Sequence, residues 1–412
     1  MTLSQQDPGV LLLGSDFKAL GVVRSLARLG VRVALVDNLP RSAWFSRFVT
    51  RKYRWRRPMF GEDFLDFLLH LAGRDQMQGW VLMPAQDEVL ELIARHHDEL
   101  APTYRLVTQA WPTLRWTYDK RLLHEAADDA SVEHPRTWYP LDENDLAQME
   151  ISFPVIVKPA NSIQMQYSIG RKALPARDRQ DLLERYRFAA RIVPRDQIMV
   201  QEIVDAEAQY SVAAFSDDGR VVAAMTARRT RQFPIDYGLS SSFVEALEVP
   251  GLIEPAERIL RRLRLTGMVE VEFIKDRRDG RPKLVDVNPR PWGWHALCIA
   301  CGLDFPRMQY EHALGRPLPS VEPRYGRRWI RVLTDVPAGL QSIFAGTVSP
   351  REYIASLRGT TGFSVFDLRD PLPVAGDLAM ALLRTARGVV RRRSVAGLAA
   401  RPGLVPVEKS AG

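Results

Sequence analysis

Residues 269–294 constrain this chain more than any other stretch. Val269-Glu270-Val271-Glu272-Phe273-Ile274 alternates apolar and acidic residues with period two, the signature of a strand with one polar face. Lys283-Leu284-Val285-Asp286-Val287-Asn288 comes after Asp279-Gly280, a hairpin turn signal. If the arms pair, Glu272, Asp286 and Asn288 converge, and Glu270 shares the face. They offer hard oxygen donors with no sulfur or imidazole. That set suits magnesium, which keeps waters and binds substrate phosphates. A solvated hairpin face is the plain alternative. Against it, Asp286 and Asn288 sit in an apolar strand that runs directly into Pro289-Arg290-Pro291-Trp292-Gly293-Trp294.

Upstream, short apolar runs alternate with amphipathic segments. Val10–Leu13 ends at Gly14, a helix-like stretch runs from Gly21 to Leu29, and Val31–Val36 ends at Asp37. Trp80–Met83 and Tyr104–Val107 continue the rhythm, which predicts a parallel, Rossmann-like sheet. The segment after Gly14 lacks the three close glycines of a dinucleotide site, so a scaffold lining a cleft is the expectation. Asp87 and Glu88, just after Pro84, are candidates to face that cleft and bind an amine; a helix cap is the alternative for Asp87.

From Thr117 the texture is α+β. Asp119–Ala127 reads as a helix containing Lys120. Phe153–Lys158 reads as a strand ending in a second lysine, where a flexible point charge can neutralise phosphate. Ile198–Val204 is a strand carrying Gln201 and Glu202, an acid suited to an adenine amine. Tyr210–Phe215 and Val221–Ala227 flank Asp217-Asp218-Gly219, a second hairpin. Arg228, Arg229 and Arg231 make a cationic cluster that either stabilises developing phosphoryl charge or forms a basic surface.

In this order and at these separations, the motifs resemble the ATP-grasp superfamily, in particular its carboxylate–amine ligases similar to D-aspartate ligase. The resemblance covers about Val10 to Gly315 and rests on Lys120-Arg121-Leu122-Leu123, Pro154–Pro159, Val200–Val204, Arg228–Pro234, Val269–Phe273 and Asp286–Gly293. It implies an α/β and α+β architecture: a Rossmann-like domain over residues 1–115, then a two-lobed ATP-grasp domain with lobes at 116–200 and 201–318, and a basic C-terminal extension over 319–412. It further implies ATP and Mg2+ as cofactors. Lys120 and Lys158 would meet the ATP phosphates. Gln201, Glu202, Ile203 and Val204 would meet adenine, and Glu207 the ribose. Glu272, Asp286 and Asn288 would hold the metal. Arg229, Arg231 and Arg290 would act in catalysis. Trp292 and His295 join Asp87 and Glu88 as substrate candidates. The implied activity is amide formation between a carboxylate and an amine through an acyl-phosphate. A degraded, ATP-binding structural or regulatory protein is the alternative.

Two departures stand out. The phosphate-covering loop, Asn161–Gly170, has one glycine where the family is glycine-rich, and Asp286 replaces a common glutamate.

Charge and composition narrow the remaining classes. The 412 residues suggest roughly two to four domains. The net charge of +8 does not point to nucleic acid, because seven basic and two acidic residues lie in 371–412 alone. A helix is expected over Asp377–Val390, ahead of Arg391-Arg392-Arg393. Packing on the body is one outcome for it, and weak contact with a membrane surface is the other. Two cysteines, Cys298 and Cys301, are too few for a disulfide scaffold or a zinc site, and buried core positions are expected for both. No apolar run approaches a spanning helix and no signal peptide is read, so a cytoplasmic protein is expected. Oligomeric state is left open.

Overall fold

The computed structural model describes residues 7–160, 173–233 and 240–383. Its first sheet is parallel, in the order β3-β2-β1-β4-β5. The strands are β1 (Val10–Leu13), β2 (Val33–Asp37), β3 (Val49–Arg54), β4 (Val81–Pro84) and β5 (Arg105–Leu106). All four residues of β1 are buried, as a central parallel strand covered on both faces requires. β3 is an edge strand carrying exposed Thr50, Arg51 and Lys52, so its polar sequence hides its strand character while guarding the edge. The strand order reverses between β1 and β4. The loops after these two strands therefore splay apart and open a crevice, the usual ligand position of such sheets.

The second sheet is antiparallel, in the order β6-β9-β7-β8. It contains β6 (Thr137–Trp138), β7 (Val155–Pro159), β8 (Leu174–Ala176) and β9 (Ile198–Glu202). Leu182 and Tyr186 of the helix Arg179–Ala189 close its apolar face over Val155, Val157 and Val200.

The third sheet has seven strands in the order β14-β13-β10-β11-β12-β15-β16. They are β10 (Ala206–Asp217), β11 (Arg220–Phe233), β12 (Ser240–Ala246), β13 (Gly267–Asp276), β14 (Pro282–Asn288), β15 (Arg328–Ile330) and β16 (Thr360–Phe363). Both hairpins expected from sequence are present. At the first, Asp217 pairs with Arg220, and Asp218 and Gly219 both have positive φ, 47° and 81°. This is the twist-matched two-residue turn. Gly219 is needed for space as well, because a Cβ there would lie 2.4 Å from Arg261 Cα. Together the three sheets reproduce the ATP-grasp layout that the motif order implied.

The described residues beyond 319 are built into this body. β15 pairs with β12, and β16 adds in parallel to β15. The chain then returns to the first sheet. Asp370, fully buried, accepts from Arg24 Nε (3.0 Å), the Ser46 hydroxyl (2.8 Å) and the Arg47 amide (3.0 Å). Arg24 also donates to the carbonyls of Val365 and Asp370. No helix among the described residues is long and apolar enough to cross a membrane.

Removing one partner of a buried ion pair strands the other charge. Asp370→Ala is therefore expected to cost about 3 kcal/mol, seen as a lower midpoint in urea unfolding followed by fluorescence.

Candidate active site

The pairing of β13 with β14 sets Glu270 opposite Asn288 and Glu272 opposite Asp286. Asn288 Nδ2 donates to Glu272 Oε1 at 3.0 Å and approaches Glu270 Oε2 at 3.5 Å. Arg229 reaches over from β11 and donates through Nη2 to Glu272 Oε2 at 2.6 Å. Lys120, the first residue of the helix Lys120–Asp129, donates to Asp286 Oδ1 and to the Val285 carbonyl. Glu270 is almost fully buried, and Trp294 Nε1 donates to it at 2.7 Å. Burial, reinforced by the neighbouring Glu272, pushes its carboxyl up to about 8.

Arg290, two residues past β14, forks onto Asp87 at 2.5 and 2.9 Å, and its Nη2 lies 3.3 Å from Asn288 Oδ1. Asp87 opens the helix Asp87–Arg95 at the carboxyl end of β4. The cap position belongs to Gln86, so the cap alternative does not describe Asp87. A continuous series therefore runs Asp87–Arg290–Asn288–Glu272–Arg229, from the parallel sheet to the middle of the large one. It borders a cavity of about 320 Å³, to which Lys18, Lys120, Ser241, Asp286 and Trp292 also contribute. Four cations (Lys18, Lys120, Arg229, Arg290) and five acids (Asp16, Asp87, Glu270, Glu272, Asp286) line it together. Such a wall can hold phosphate on the cations and a hard cation on the acids.

Glu272, Asp286 and Asn288 thus share one cavity, as the alternation required. Among the described residues, no three His, Cys, Asp or Glu side chains form a metal-holding group. Two carboxylates and an amide oxygen still match magnesium, which takes its other ligands from water and phosphate.

Other predicted residues lie elsewhere. Arg231 is turned to the extension: Nε and Nη2 each donate to Asp335 at 2.8 Å, and Phe243 lies beneath the guanidinium. It does not border the cavity. Lys158 lies on β7 opposite Met199, and the run Gln201, Glu202, Ile203 and Val204 leads from the second sheet towards the third. Gln201 donates to Thr137 Oγ1 (2.9 Å), and the Ile203 amide reaches the Pro154 carbonyl (3.3 Å). Glu202 accepts from the Arg136 amide, Lys283 (3.0 Å) and Arg278 (2.9 Å). Partial burial opposes ionisation there, yet these three donors hold its carboxyl below the usual range. Glu207 pairs with Lys275 at the surface (3.0 Å).

Trp292 is buried as a wall of the cavity. Glu88 borders a second cavity, of about 510 Å³, that shares Asp16, Phe17, Lys18 and Asp87 with the first. His295 is buried beneath Gly21, where a Cβ would come within 2.5 Å of the imidazole, and its Nε2 lies 2.8 Å from the Lys18 carbonyl. Burial lowers it to about 4. Cys298 and Cys301 are core residues, and burial raises the Cys301 thiol to about 11. The loop 161–172, Pro234 and the tail 384–412 lie outside the described residues.

Sequence reasoning did not single out Lys18, Asp16 or the buried Lys283–Asp276 pair (2.8 Å) beside Glu202. The signals were present. Lys18 lies in the first turn of the helix after β1, capped by Asp16, and Lys283 interrupts an apolar strand.

Comparison with known proteins accords with this geometry. The family described as "ATP-grasp in the biosynthetic pathway with Ter operon" matches residues 195–334. The chain is 23% identical over 337 residues to D-aspartate ligase of Enterococcus faecium, covering 77% of this chain and 79% of that protein. It is 21% identical to the carbamoyl phosphate synthase large chain of a Thermoanaerobacter species, covering 77% of this chain but spanning only 30% of the relative. Among solved structures, the L-amino acid ligase of Bacillus licheniformis superposes with a TM-score of 0.60 at 17% identity, covering 79% of each chain, a likeness of fold.

The depressed His295 carries a pH dependence. Unfolded, it takes a proton near its ordinary 6.5; folded, it resists until about 4. The unfolded state therefore binds the extra proton between these values, and stability falls as pH falls through that window. Between about pH 7 and about pH 5 this loss is expected to be about 2 kcal/mol, and His295→Gln should remove it from urea-unfolding curves.

Proposed function

We propose that this chain, a member of the ATP-grasp superfamily, is an ATP-dependent carboxylate–amine ligase. The observation that carries the reading is the series Asp87–Arg290–Asn288–Glu272–Arg229, which spans one cavity with a guanidinium on each side of an oxygen-donor set.

In this reading a substrate carboxylate oxygen attacks the γ-phosphorus of ATP. The bond to the β-γ bridging oxygen breaks, ADP leaves, and an acyl-phosphate remains. An amine then attacks the acyl carbon and loses a proton. The carbon–oxygen bond to phosphate breaks, and an amide and inorganic phosphate are released. Lys120 and Lys158 hold the ATP phosphates, the Gln201–Val204 segment receives adenine, and Glu207 meets the ribose. Glu272, Asp286 and Asn288 would hold Mg2+, which neutralises phosphate oxygens when bound. Arg229 and Arg290 stabilise the charge that grows on the transferring phosphoryl group and again on the departing phosphate. Arg231, engaged with Asp335, braces the sheet instead. Asp87 and Glu88, which line the second cavity, suit an ammonium, and Trp292 walls off water that would hydrolyse the acyl-phosphate.

The test is a matrix of carboxylates and amines incubated with ATP and Mg2+, with ADP measured and condensed products weighed by mass spectrometry. Stoichiometric ADP and amide are expected only when both substrates are present. Arg290→Lys should lower kcat by about 100-fold or more, because a point charge cannot reproduce the fork. Glu272→Ala and Asn288→Ala should also abolish turnover. Product formation unaffected by both would remove the metal assignment, and ATP binding without coupled product would favour the non-catalytic alternative.

A further inference from the structure

Surface helices normally turn charge outward and apolar residues inward. Two helices of the C-terminal region are inverted. The helix Val332–Phe344 has one charged residue, Asp335, and it is fully buried against Arg231, Ser242 and Tyr353. Its exposed side chains include Val332, Val336, Leu340 and Phe344, spaced four apart along one face. Phe344 is 86% exposed. The helix over residues 372–383 repeats the pattern. Its one charged residue, Asp377, points inward to the Ser42 hydroxyl (2.7 Å) and Arg331 (3.6 Å), while Leu372, Leu378, Leu382 and Leu383 are exposed. Leu333 of the first helix and Met380 of the second line the same cavity, so the two helices adjoin. Among the described residues, fourteen of the nineteen exposed large apolar side chains fall between Val332 and Leu383. Scattered apolar residues need no explanation, but this concentration calls for an apolar environment.

The charge of the adjoining C-terminal sequence selects the environment. Residues 384–412 carry seven basic residues and one acid, beginning with Arg384, Arg387 and Arg391-Arg392-Arg393, directly after the exposed leucines. Two copies meeting on this face would crowd two such tails together. An anionic bilayer supplies apolar contact and opposite charge at once, and two such signals are what lasting peripheral attachment requires.

We propose that the outward face of the helices Val332–Phe344 and 372–383 docks the protein on an anionic lipid surface without spanning it. This places the second cavity, which both helices border together with Ser42 and Arg331, near that surface.

The full chain is tested by co-sedimentation with phosphatidylcholine vesicles with and without phosphatidylglycerol, at low and high salt. Sedimentation with the phosphatidylglycerol vesicles, weakened by salt and absent with phosphatidylcholine alone, is expected. The combined variant Leu340→Ser, Phe344→Ser, Leu378→Ser, Leu382→Ser should lower vesicle partitioning about tenfold or more at an unchanged thermal midpoint, since all four residues are exposed. A chain ending at Leu383 should lose the salt-sensitive part of binding. The proposal is overturned if the full chain stays in the supernatant with phosphatidylglycerol vesicles, or if the four-residue variant binds as the parent does. A reversible dimer in lipid-free sedimentation velocity that this variant abolishes would assign the face to a second copy instead.

Discussion

The register of β13 against β14 is the constraint on which the candidate site depends. A one-residue slip in either strand would turn its polar set to the opposite face. In the observed register Asn288 lies between Glu270 and Glu272, while Asp286 stands opposite Glu272 and within reach of Lys120. Every further partner is added from that point. Arg229 arrives from the third strand along, and Arg290 extends the series to Asp87 on the parallel sheet. Two sheets with separate cores are thereby joined by polar side chains around one cavity.

These polar contacts work inside a low-dielectric wall, where an uncompensated charge is expensive. The structure meets that cost by pairing. Lys120 sits on Asp286, Arg229 on Glu272, Arg290 on Asp87, and Lys283 between Asp276 and Glu202. Glu270 is the exception in kind: it accepts a hydrogen bond from the neutral Trp294 indole, and burial keeps its proton on up to about 8. A cavity built of balanced pairs is suited to an anionic ligand and a cation that arrive together, since each finds its opposite already positioned.

The C-terminal region contributes in another way. Asp335 and Asp370 are both fully buried, and both bind an arginine from a distant part of the chain. One fastens a helix onto the large sheet, and the other returns the chain to the parallel sheet. Charges drawn inward leave the apolar side chains of that region outward, so the clamp and the exposed apolar face are two consequences of one arrangement.

Period-two and helical periodicity made the β1–helix–β2 unit, both hairpins and the acid-bearing strands legible, because side-chain direction follows directly from residue spacing. β3 was not legible, since an edge strand is selected for solubility and carries no apolar alternation. Arg229 and Arg231 show the limit most sharply. They lie two residues apart in one basic run, yet one faces Glu272 and the other is bound to Asp335, with the pairing of β11 against β12 shifting register between them. Likewise Trp292 and His295 are near neighbours in sequence, but one walls the cavity and the other packs under Gly21. Local spacing decides which residues share a strand face. Which residues meet across the cavity, and which charges are spent as clamps, depends on sheet order and on partners from 43 to 346 residues away, and only the tertiary structure decides those.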